Sequence, residues 1–109
     1  MEEIFYLDLH KNQLFGFQPW AQEKHIEDIL EGINLGANFP AVPVYRTLDG
    51  KFYLALDRRR EDKPGVVDGG HHRAIAHYKA RKPLKCRRLD GELPSAPNHY
   101  IPIRDISLV

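Results

Sequence analysis

One cysteine, one methionine and one tryptophan among 109 residues exclude several kinds of chemistry. With Cys86 alone, no internal disulfide can form and no cysteine-rich metal site can be built, which suits a reducing compartment. A dominant charge is missing too: 16 Lys and Arg face 15 Asp and Glu, for a formal net charge of +1. Such a balance exerts no global pull toward nucleic acid, so any contact of that kind must come from a local patch. No apolar run approaches the length that crosses a bilayer, and the acidic start Met1-Glu2-Glu3 does not look like a secretory leader. No membrane partner and a cytoplasmic location are therefore expected. Internal repeats and low-complexity tracts are also absent. What is present is ordinary for a folded chain: 42% hydrophobic and 28% charged residues, at a length that fits one domain over residues 1–109.

Residues 4–9, Ile-Phe-Tyr-Leu-Asp-Leu, read as a strand that starts the sheet. Residues 10–20 have no clear period. Phe15, Phe17 and Trp20, set among Gly16 and Pro19, are expected to plug one end of the core under a loop rather than present an aromatic surface. From Gln22 to Leu35 the period becomes helical. Ile26, Ile29, Leu30 and Ile33 form one apolar face, Glu27, Asp28 and Glu31 lie on the wetter side, and Gly36 is a natural stop.

Residues 39–47 read as a strand containing two prolines, which belong at a strand's start or on an edge. Asp49-Gly50 is a strong hairpin signal, and residues 51–56 return antiparallel with Phe52, Leu54 and Leu56 on one face. A charged loop follows over residues 57–65, carrying Arg58, Arg59 and Arg60. Late in the chain, residues 84–89 read as a closing strand. Residues 99–106, with Ile101-Pro102-Ile103, read as an added edge strand that covers the sheet or docks another subunit.

Between these lies the stretch with the most chemical content, Val66-Val67-Asp68-Gly69-Gly70-His71-His72-Arg73-Ala74. Two β-branched residues end a strand, a glycine pair turns the backbone, and a helix runs from His71 to about Ala80, stopping before Pro83. Amide groups at a helix start, together with the positive end of its dipole, favour an anion such as phosphate. Arg73 would add a two-pronged guanidinium contact, and His71 and His72 would donate hydrogen bonds or move protons near neutral pH. Ala74, Ile75 and Tyr78 form the inner face of this helix, with His77 and Lys79 outside. Adjacent histidines rarely converge on one ion, so no metal site is assigned to His71, His72, His77 and Asp68.

The run Asp68-Gly69-Gly70-His71-His72-Arg73 resembles the phosphate-binding motif of the ParB/sulfiredoxin superfamily. Sulfiredoxins carry Gly-Gly-Cys-His-Arg here, ParB partition proteins Gly-Glu-Arg-Arg, and free serine kinases Asp-Gly-His-His-Arg. The resemblance extends over residues 4–90 through the order of elements. It implies a single α/β (α+β) domain, with a small mixed sheet and two main helices. It also implies a nucleotide, ATP or CTP with Mg²⁺, or another phosphorylated small molecule held by Gly69, Gly70, His71, His72 and Arg73. Phosphoryl transfer or nucleotide hydrolysis is the enzymatic form it suggests. In that scheme Asp68, His72, Glu27 and Asp28, with Glu23 nearby, are the candidate acid, base or metal-facing groups.

The chain departs from the family in three places. Asp28 and Gly32 stand where sulfiredoxins have Ser and Thr, the charged loop 57–65 is an insertion, and His71 replaces the sulfiredoxin cysteine. With Cys86 expected to be a small buried residue of the closing strand, sulfiredoxin activity is not expected. The competing class is a non-enzymatic module that binds DNA or protein. Arg58, Arg59, Arg60, Lys85, Arg87 and Arg88, with Lys79, Arg81 and Lys82 beside them, would supply backbone-phosphate contacts. Oligomeric state is open on this reading.

Overall fold

The computed structural model describes residues 3–55, 70–89 and 100–109. The charged loop with Arg58, Arg59 and Arg60, the strand end at Val66-Val67, Asp68 and Gly69 lie outside them. Among the described residues, strands β1 (Glu3–Leu7), β2 (Leu14–Gly16), β4 (Val42–Arg46), β5 (Phe52–Leu54), β6 (Leu84–Arg88) and β7 (Ile101–Pro102) form one mixed sheet. Its order is β1-β6-β4-β5-β2-β7. A second, two-stranded pairing joins β3 (Trp20–Ala21) to β8 (Ser107–Leu108). The helices are α1 (Glu23–Asn34) and α2 (His71–Ala80). This is the small mixed α/β domain with two main helices that the element order implies.

Neighbours β4 and β6 run parallel, with Val42 opposite Cys86, so the chain must cross over between them, and α2 lies in that crossover. β1 closes one edge against β6, and β7 the other against β2. The segment around Ile101 therefore covers the sheet edge within this chain. Val42, Val44, Leu54, Leu84 and Cys86 from the strands meet Ile26, Ala74, Ile75 and Ala76 from the helices in one buried cluster. The helical period of α1 is borne out: Ile26 and Ile29 are buried, Leu30 and Ile33 pack against the core, and Glu27 and Asp28 are exposed. Gly36, at φ 81°, ends the helix. The Ala37 N–H reaches back to Gly32 O at 2.8 Å and the Gly36 N–H to Ile33 O at 3.0 Å.

One local expectation is revised and another refined. Residues 10–20 include strands β2 and β3; Phe15 lies on the sheet stacked on Tyr53 at 5.1 Å, and Trp20 is exposed. Only Phe17 of the three aromatics packs inward, against His71. Pro43 is the second residue of β4, near the strand's start as expected, but in an interior strand and not on an edge. It is tolerated because β5 is ending there. Its carbonyl accepts from the Ala55 N–H at 3.1 Å, and its missing donor falls on that same side, just past the β4–β5 ladder.

Candidate functional site

The start of α2 is built on Gly70, whose φ of 85° is left-handed. A Cβ there would stand 2.3 Å from a Val42 methyl, so the turn requires glycine for both conformation and space. The next three side chains diverge. His71 is 1% exposed and turns into the core. Its Nε2 accepts the Phe17 N–H at 3.0 Å and the Gln18 N–H at 3.3 Å, and the Phe17 ring meets it edge-on at 4.4 Å. An atom that accepts from two amides carries no proton, so the tautomer has its hydrogen on Nδ1. Gly16 makes this possible: a Cβ there would lie 2.6 Å from the imidazole.

His72 is half-buried and points to the other helix. Its Nε2 accepts the N–H of Gln22, the residue preceding α1, at 3.1 Å, while its ring stacks on His25 at 4.4 Å. Two helices therefore begin side by side, with His25, His72 and Lys24 at the junction. Neither is capped by a side chain of its N-cap residue. The Glu23 N–H, one of α1's first amides, is taken by the Val109 carbonyl at 2.9 Å.

Arg73 goes a third way. It is 6% exposed, and its Nη1 donates to Pro40 O at 2.8 Å. There it lines a cavity of about 250 Å³ between α2, the loop after α1 and the start of β6. One turn on, the His77 Nδ1–H donates to the Arg73 carbonyl at 2.6 Å. Burial, and to a lesser extent the Arg73 charge, hold the His77 imidazole below its ordinary pKa. His77 was expected outside; it is half-buried and lines the same cavity. At Gly32 a Cβ would lie 2.8 Å from the Phe39 ring, which borders the cavity.

Of the residues singled out in the sequence, Gly70, His71, His72 and Arg73 are thus adjacent but face three directions. Glu27 and Asp28 are exposed on α1, and among the described residues no three His, Cys, Asp or Glu side chains converge to hold a metal ion. The described residues do not by themselves form a Mg²⁺ site. Lys85 joins Arg73 in the cavity, Arg87 follows two residues on along the same face of β6, and Arg88 approaches Glu3 at 4.0 Å. Cys86 is fully buried and its thiol is pushed up to about 12 by desolvation, so it is a packing residue and not a nucleophile. Gln22, His25, Pro40, His77 and Lys82 carry no motif. The hydrophobic period places Gln22 and His25 at the start of α1, but nothing in the sequence says which helix they meet.

No protein-family model, curated protein or solved structure matches this chain. Its functional reading accordingly comes from its own geometry and from the motif.

Proposed function

We propose that the chain is a phosphate- or nucleotide-binding domain of ParB/sulfiredoxin type, with the ligand's phosphates at the junction where α1 and α2 begin. The observation that carries this is the 3.1 Å bond from the Gln22 N–H to His72 Nε2, with His25 stacked alongside. It sets two helix N-termini next to each other, and each contributes roughly half a positive charge to the space before them. Ring N–H groups of His25 and His72 offer hydrogen-bond donors to an anion, and the ammonium of Lys24, in the first turn of α1, adds positive charge.

ATP or CTP is the nucleotide class, and Mg²⁺ would arrive with its phosphates rather than in a site already formed by the described residues. In an enzymatic form, Asp68 or a carboxylate of Glu23, Glu27 and Asp28 would activate the acceptor for phosphoryl transfer or hydrolysis. His72 would orient phosphate, because proton transfer at its Nε2 would first require breaking the bond to Gln22. A competing binding-module reading has one observation in its favour: Lys85 and Arg87 alternate on β6, placing two cations on one side of that strand.

Thermal-shift titration with ATP, CTP, GTP and ADP, each with Mg²⁺, tests the proposal. Saturation at a hundred times Kd stabilises the fold by about 2.7 kcal/mol. His25→Glu, an exposed change that places a negative charge at the junction, should abolish the shift, whereas His25→Lys should retain it. Absence of any nucleotide shift, combined with salt-sensitive DNA retention that Arg87→Ala and Arg88→Ala remove, would favour the binding module instead.

A further inference from the structure

The cavity beside Arg73 is chemically separate from the helix junction and does not depend on it. Its charged lining among the described residues is of one sign: Arg73 from α2, Lys82 from the turn after α2, and Lys85 from β6, with the titratable ring of His77 beside them. No carboxylate is among the described lining residues. Tyr6 and Phe39 supply aromatic surface beside these cations. The inner groups are held in place before any ligand arrives, Arg73 by the Pro40 carbonyl and His77 by the Arg73 carbonyl. Lys82 is exposed and Lys85 half-buried, so mobile ammonium groups complement a fixed guanidinium.

Size narrows the occupant. About 250 Å³ lies below the usual range for drug-sized ligand pockets, roughly 300 to 1,000 Å³. It admits a phosphate with one ring or a short carbon body, and not a nucleoside triphosphate. We propose that this cavity binds a small phosphomonoester, its dianionic phosphate among Arg73, His77, Lys82 and Lys85 and its carbon body against Phe39 and Tyr6. A dianion matches this set better than a carboxylate does. Three permanent cations surround it, and His77, with Nδ1 already committed to a carbonyl, takes a second proton at Nε2 when negative charge enters. Binding therefore couples to proton uptake at one identifiable ring.

The test is an NMR titration of the His77 ring with phenyl phosphate, alongside inorganic phosphate and benzoate, on the full chain. Phenyl phosphate should raise the His77 pKa and bind about tenfold tighter than benzoate, a difference of roughly 1.4 kcal/mol. The double variant Lys82→Ala/Lys85→Ala, confined to groups that are not fully buried, should lose about tenfold in affinity with an unchanged unfolding midpoint. His25→Glu should leave this binding intact, which separates the cavity from the helix junction. An unmoved His77 resonance at saturating phenyl phosphate would overturn the proposal. So would equal affinity for benzoate, or binding lost in His25→Glu and kept in the double variant.

Discussion

His71 shows how one side chain can look like a ligand contact and serve as a brace. Its imidazole ties the first turn of α2 to the backbone between β2 and β3, through amides more than fifty residues away in sequence. Truncating it to Ala removes a buried ring and strands the Phe17 and Gln18 N–H groups. A destabilisation of about 2 to 4 kcal/mol is expected from the cavity and the lost acceptor together. His71→Gln, whose amide oxygen can stand near the Nε2 position, should recover part of it; urea unfolding of the two variants measures the difference. The composition of the Gly-Gly-His-His-Arg run announced a polar helix start. It could not announce that three neighbouring side chains would go to three destinations, because a helix rotates each residue by 100° and the partners are set by tertiary contacts.

At the scale of the element, α2 ends on a residue that pays conformationally. Arg81 holds φ 55°, the only left-handed non-glycine among the described residues, and the Lys82 N–H closes the helix onto His77 O at 3.1 Å. Glycine is the usual occupant of such a position, since a Cβ in the left-handed region costs about 1 to 2 kcal/mol. Arg81→Gly is therefore expected to raise stability by about 0.5 to 1 kcal/mol, after the greater freedom of glycine in the unfolded chain is deducted. Chemical denaturation reads the gain directly.

Elements with a strong period or a strong stop were legible in advance: α1 from its isoleucines and Gly36, the hairpin from Asp49-Gly50, β6 and the end of α2 from Pro83. β2, β3 and β8 were not, since two or three residues carry no period and pair only because distant segments are brought beside them. Nor was the interior place of Pro43, which depends on where β5 happens to end.

For the molecule as a whole, stability and acidity are linked through His77. Its pKa lies below 6.5 in the folded state because burial, and then the Arg73 charge, disfavour the imidazolium. Above the unfolded value near 6.5 the ring is neutral in both states and the fold keeps its full stability. As pH falls below that point the unfolded chain binds the proton first, so stability declines until the folded pKa is passed. The unfolding midpoint should therefore drop between pH 6.5 and the folded pKa, and His77→Gln should flatten that part of the profile. Excess phenyl phosphate, if it fills the cavity, should flatten it as well, by drawing the folded-state pKa upward.

The pairing of β8 with β3 reaches beyond those two short strands. Because the Val109 carbonyl receives the Glu23 amide and the Val109 amide returns to Ala21, the last residues of the described chain act as a clasp on the segment that launches α1. A ligand at the site proposed where the two helices open would thereby depend on the distant tail. Loosening Ser107 to Val109 would change the orientation of one dipole relative to the other, without altering any side chain at the junction itself.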